Sequence, residues 1–112
     1  MTVAQVDEVL GAELVAGGDM LYKNVKSACG SDLMSDVLAY VKDQPVLITG
    51  LTNAQAVRTA EMMDIICIVI VRGKIADEGL IALANDRKIV ILQTNHSMFT
   101  TCGILYANGL RG

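Results

Sequence analysis

Three continuous apolar runs recur along this chain at a spacing of about 22 residues, the length of one strand-plus-helix unit. They are Val46-Leu47-Ile48-Thr49, Cys67-Ile68-Val69-Ile70-Val71 and Ile89-Val90-Ile91-Leu92. Each stops at a small or polar turn: Gly50-Leu51-Thr52-Asn53, Arg72-Gly73-Lys74, and Gln93-Thr94-Asn95-His96. A helix-like pattern then begins. An earlier unit, Lys26-Ser27-Ala28-Cys29 followed by Gly30-Ser31-Asp32, repeats the plan. Unbroken apolar runs are what burial on both faces of a parallel sheet requires. The expected fold is therefore α/β: three layers around a mainly parallel sheet of about five strands, built from repeated strand-helix units. Parallel strands release their following loops at one common edge, and open α/β sheets bind ligands at that carboxyl edge.

The remaining elements follow from local signals. Thr2 caps a first helix in which Val3, Val6, Val9 and Leu10 form one stripe, and Gly11 stops it. Ala12 to Ala16 reads as a short strand, Gly17-Gly18-Asp19 as a turn, and Tyr22 to Lys26 as a second strand running on toward Cys29. Ser31 or Asp32 is placed to cap a helix through Val41, and Pro45 closes the loop behind it. Thr52-Asn53-Ala54-Gln55 has the Thr-x-x-Gln form of a capping box, opening a helix to Met63. Ile65 to Val71 is the central strand by apolarity. Asp77 opens a helix through Arg87, Lys88 to Leu92 forms another strand, and a last helix runs from Ser97 to Asn108-Gly109. With no linker or low-complexity tract, residues 1–112 read as a single domain.

Composition narrows the classes of function. The chain is 53% hydrophobic yet has one Phe, three Tyr and no Trp, so the core must be aliphatic. Nine Lys and Arg against twelve Asp and Glu give a net charge of −3, without a basic stripe, which disfavours nucleic acid as a partner. The longest apolar run, Ile65 to Val71, falls well short of the ~20 residues of a membrane span. The N-terminus lacks the basic start and long apolar stretch of a signal peptide, so a cytoplasmic location is expected. So many apolar residues on a short chain point to a buried subunit interface, with a homodimer as the expected assembly. The three cysteines include no CxxC pair, so neither a disulfide framework nor a zinc site follows, and Cys67 belongs in the core. One histidine assembles no usual metal site, and no cofactor is expected.

Function must reside in the loops. Gly30-Ser31-Asp32 reads mainly as a helix cap, and Asp32 would repel a phosphate there. Thr49-Gly50-Leu51-Thr52-Asn53 makes a compact polar nest at a helix start. Arg72-Gly73-Lys74 sets two cations at the end of the most apolar strand; Arg72 either grips an anion through paired hydrogen bonds or pairs with a surface acid. Thr94-Asn95-His96-Ser97 ends the last strand, with His96 able to titrate near neutrality. The candidate ligand-binding set is Thr49, Gly50, Thr52, Asn53, Arg72, Gly73, Thr94, Asn95 and His96, for a small anionic metabolite or nucleotide. No catalytic set emerges. The chain lacks a P-loop, a dinucleotide glycine fingerprint and a nucleophile elbow. Two other readings stay open: a protein-interaction subunit of a metabolic or redox complex, and an enzyme using His96 as acid–base with Arg72 as clamp.

The order of pieces resembles the DRTGG domain over nearly the whole chain, most closely from Val46 to Leu105. The pieces are Val-Leu-Ile-Thr-Gly at 46–50, Ile-Val-Ile-Val-Arg-Gly at 68–73 and Ile-Val-Ile-Leu-Gln-Thr at 89–94, with Met98-Phe99-Thr100-Thr101 following. The segment Ser27 to Asp36 is similar to small stand-alone members. Asn53 and Arg72-Gly73 stand where the name-giving Asp-Arg and Thr-Gly-Gly elements would fall, a departure from that motif. The resemblance implies a regulatory or ligand-sensing domain, commonly self-associating and without catalysis of its own. Such domains accompany phosphotransacetylases and paired CBS modules, and are related in fold to the N-terminal domain of HPr kinase/phosphorylase.

Overall fold

The computed structural model describes residues 1–112. Helix α1 (Val3–Leu10) opens with a reciprocal capping box: Gln5 N–H donates to the Thr2 hydroxyl, and the Gln5 side chain accepts from Thr2 N–H at 2.8 Å. There follow β1 (Glu13–Ala16), a 3₁₀ turn at Gly18–Met20, β2 (Ser27–Gly30), α2 (Met34–Tyr40) and β3 (Pro45–Thr49). The chain continues as α3 (Ala54–Met62), β4 (Cys67–Ile70), α4 (Glu78–Arg87), β5 (Val90–Gln93) and α5 (Met98–Ala107).

The five strands form one sheet in the order β1-β5-β4-β3-β2. Strands β2 to β5 run parallel, with Cys67 of β4 opposite Val46 on one side and Val90 on the other. Strand β1 adds antiparallel at the β5 edge, with an irregular register between Leu14 and Ala16. Because β2, β3, β4 and β5 are laid down in one direction, right-handed crossovers place α2, α3 and α4 on the same face. There Met34, Val37, Ala56, Val57, Leu80 and Ala84 pack on Leu47, Ile68, Ile70 and Ile91. On the opposite face Val3, Val6 and Leu10 of α1 join Leu105 of α5 over Val46, Ile48, Cys67, Val69, Val90 and Leu92. The strand residues of the two clusters alternate, as the pleat requires. Every residue of β3, β4 and β5 is buried. At ~1.5–3 kcal/mol for each fully buried Val, Leu or Ile, these three strands dominate the favourable side of folding.

Three sequence expectations need correction. Tyr22 to Lys26 is not a strand. Only Asn24 bridges, to Thr2, and the segment instead lies across the start of α1. Lys23 C=O and Leu21 C=O accept from Val3 and Ala4 N–H, supplying partners for donors that a first helical turn leaves free. Neither Ser31 nor Asp32 caps α2; Leu33 holds the cap position without a side-chain bond, while Ser31 Oγ accepts from Leu33 N–H at 3.0 Å in a local turn. The Thr52–Gln55 capping box does not form either. Helix α3 starts at Ala54, so Asn53 is the cap, accepting from Gln55 N–H at 3.1 Å, and Thr52 lies outside the helix.

Candidate functional site

The parallel strands end at Gly30, Thr49, Ile70 and Gln93, and their loops emerge together. The loop after β4 turns through two consecutive left-handed residues, Arg72 (φ 64°) and Gly73 (φ 67°). Glycine adopts this region freely, whereas at Arg72 it costs on the order of 1 kcal/mol and must be held by its surroundings. The hold is visible. Arg72 N–H donates to His96 C=O at 2.8 Å and Gly73 N–H to Thr94 C=O at 2.9 Å, so the β4 and β5 loops are stitched backbone to backbone.

On the other side of β4, a single carboxylate joins three strand ends. Asp32 Oδ2 pairs with Arg72 Nη2 at 3.0 Å. Asp32 Oδ1 accepts from Gly50 N–H at 2.5 Å and from the Thr49 hydroxyl at 3.2 Å. The Gly50 N–H bond, more than any other contact, holds the Asp32 carboxyl below its ordinary value; Thr49 and Arg72 add to it against partial burial. A side chain at Gly50 would overlap the Arg72 guanidinium, so this close approach requires glycine. The pair is open to solvent, with each side chain 47% exposed.

Arg72, Gly73, Thr94 and His96 thus meet in one backbone knot, with Asn95 beside it: its Oδ1 would lie 3.1 Å from a Cβ at Gly73. Thr49 and Gly50 belong to the Asp32 cluster. Thr49 is fully buried and its hydroxyl also accepts from Leu51 N–H, while buried Thr94 offers its hydroxyl to His96 N–H. Both hydroxyls shape the loops from within. Thr52 and Asn53 stand apart: Thr52 C=O accepts from Asp77 N–H and Asn53 caps α3. Asp32 was expected to cap a helix; it is instead Arg72's partner, and the glycine after a strand was the only local hint that its loop reached this edge. Beside the knot, a cleft of about 180 Å³ opens between the start of β1 and the β4 and β5 loops, lined by Glu13, Lys74, Gln93 and Asn95 among others. Lys74 makes no ion pair. Gln93 is anchored, its Oε1 accepting from Ala76 N–H at 2.7 Å. Leu33, Ile75 and Phe99, each in a segment that follows one of these strands, are exposed, Phe99 by 88%.

Burial disfavours the thiolate form at all three cysteines. Burial pushes Cys29 and Cys102 up, with the Cys102 and Asp36 charges adding at Cys29, and fully buried Cys67 is pushed up furthest. No three His, Cys, Asp or Glu side chains gather into a metal-holding group, and no helix is long and apolar enough to cross a membrane.

The sequence matches the DRTGG domain family over residues 5–107. The chain belongs to that family. A solved structure similar to this DRTGG domain is the CBS and DRTGG domains of the regulatory region of Clostridium perfringens pyrophosphatase, complexed with its activator diadenosine tetraphosphate. The two share a TM-score of 0.75 at 15% identity over 93% of this chain, a likeness of fold. The match covers 45% of that chain, so this DRTGG domain corresponds to less than half of it. None of the curated proteins matches the sequence.

Proposed function

We propose that this DRTGG domain is a non-catalytic regulatory unit that binds a small anionic metabolite or nucleotide at the carboxyl edge of its sheet. The observation that carries this reading is the pair of cations, Arg72 and Lys74, flanking a left-handed glycine at the end of the central strand: Gly73 and Lys74 line the cleft, and the Arg72 guanidinium stands beside it over Thr49 and Gly50. Convergent backbone, a lysine without an ion pair in an open concavity and a neighbouring guanidinium make a fitting receptor for an oxyanion. The related regulatory region, whose complex contains a nucleotide activator, supports a nucleotide as one candidate.

The test is a thermal-shift panel with inorganic phosphate, adenine mono- and dinucleotides, acyl-CoAs, NADH and small organic acids. A ligand at 100 times its dissociation constant stabilises by about 2.7 kcal/mol, several degrees for a domain this size. The expected result is a hit that vanishes in Arg72→Ala and weakens in Lys74→Ala, both variants remaining folded by circular dichroism. A flat panel on well-folded protein overturns the reading.

A second reading, a protein-interaction subunit or homodimer, is favoured by the exposed Leu33, Ile75 and Phe99. It predicts association that Phe99→Ser weakens in sedimentation velocity. An enzyme built on His96 and Arg72 has less in its favour, since the bond that joins the two residues runs backbone to backbone, from Arg72 N–H to His96 C=O.

A further inference from the structure

We infer that the Asp32 carboxylate is a built-in stand-in for the ligand's own anionic group: it occupies an oxyanion site made by Gly50 N–H, the Thr49 hydroxyl and the Arg72 guanidinium, and a phosphate or carboxylate group entering that site displaces it and releases the β2–α2 loop. The inference rests on the ligand-binding reading above and adds to it how that site is regulated.

The donor set is the first reason. A backbone N–H, a hydroxyl and a guanidinium converge on one pair of oxygens, which is the constellation that recognises a free oxyanion. Two of the three donors are fixed by the sheet: Thr49 is the last residue of a fully buried strand and Gly50 follows it. The third lies on a left-handed turn stitched to the β5 loop. The site is therefore built without Asp32, which arrives from a different segment 40 residues away from Arg72 in sequence.

The second reason is that the occupant is loosely tethered. Asp32 lies on a connecting loop, half exposed, and the helix that follows begins at Met34, with Leu33 at the cap position and no side-chain cap. Exposed ion pairs contribute only ~0–1 kcal/mol, so an anion with more acceptor oxygens and more charge competes readily. Asp32 uses one Nη2 bond of Arg72, leaving the other guanidinium N–H groups free to meet an incoming anion before Asp32 leaves.

Displacement has a mechanical output. Asp32 ties the β2–α2 loop to the ends of β3 and β4 beyond the point where Ser31 N–H donates to Ile48 C=O at 2.9 Å, so its release frees the stretch from Asp32 to the start of α2 from the site. Apparent affinity for an anion is lowered by the fraction of molecules in which the site is open; closure in about nine of ten lowers it about tenfold.

The experiment titrates inorganic phosphate and acetate separately into wild type, Asp32→Ala, Asp32→Asn and the control Asp36→Asn, following amide chemical shifts. Asp36 lies in the first turn of α2 outside the site, so its variant changes net charge equally without opening anything. Support is about tenfold tighter binding of phosphate or acetate in Asp32→Ala, a gain in the same direction in Asp32→Asn, no gain in Asp36→Asn, and loss of the gain when Arg72→Ala is added. The probe with the larger gain identifies the favoured oxyanion. In wild type the same anion must also speed amide exchange at residues 31–34. Equal or weaker binding in both Asp32 variants overturns the stand-in while leaving an Arg72-dependent hit in the wild-type panel intact. An equal gain in Asp36→Asn reduces the effect to net charge and also overturns it.

Discussion

Two aspartates pull the pH dependence of this domain in opposite directions. Asp7 Oδ1 is buried in α1 without a hydrogen-bond partner, and burial raises its carboxyl above the ordinary value of 3.8. The native state then holds that proton more tightly than the unfolded chain, so stability from this group is lost as pH rises through the folded value. Asp7→Ala is expected to stabilise the protein near pH 7 by about 1 kcal/mol, since it removes a partly desolvated charge and improves helix propensity. Urea unfolding should show that gain shrinking on acidification; a gain independent of pH would reject the electrostatic cause. Asp32 behaves oppositely. Its folded value is lowered, so its contribution is present above the unfolded value and disappears as pH falls through the folded one. Exposure limits it: Asp32→Asn should cost no more than about 1 kcal/mol at neutral pH and nothing in acid. Arg72 was legible in the sequence, because a cation after so apolar a run must face solvent or an anion. Its partner was not, since nothing local marks a contact 40 residues away.

At the scale of elements, the buried strands were the most readable feature. β3, β4 and β5 coincide with the three apolar runs to within about a residue at their ends because both faces of each are covered, and coverage on both sides leaves an uninterrupted signature. Helix starts were harder to place because several polar residues compete at each. Around α3 both Thr52 and Asn53 are acceptable caps, and the choice between them is made by tertiary contacts: Thr52 C=O is occupied by Asp77 N–H, which sets the helix start one residue later. The distinction is measurable. Asn53→Ala should cost about 1 kcal/mol by loss of a cap, whereas Thr52→Ala should be nearly neutral. Equal costs in equilibrium unfolding would return the capping box to Thr52. Tyr22 to Lys26 misled for a related reason. Its apolar Val25 is indeed buried, but among side chains beneath α1 and not within the sheet.

For the whole molecule, the same hierarchy sets where the structure opens first. Strands β3, β4 and β5 are paired on both sides and covered by helices on both faces, so their amides should exchange only on global unfolding. Strand β2 is an edge strand whose outer side is met only by Arg111, through the bond from Ala28 N–H to Arg111 C=O at 2.9 Å. The helix after it, α2, is the shortest of the five, starts without a side-chain cap and exposes Leu38 and Tyr40. Hydrogen exchange should therefore rank β3, β4 and β5 as slowest, with the β2–α2 unit opening well below the global free energy. On that ranking the fold opens most easily where Asp32 sits, which is where the proposed response to a ligand needs a movable part. The sequence carries a trace of this: Ser27-Ala28-Cys29-Gly30 of β2 lacks the unbroken apolar run of β3, as a strand covered less completely allows, but its place at the sheet edge is set by the strand order. Uniform protection across β2, α2 and the central strands would contradict the gradient, and would mean that any ligand signal must leave through a rigid surface instead of a loosened helix.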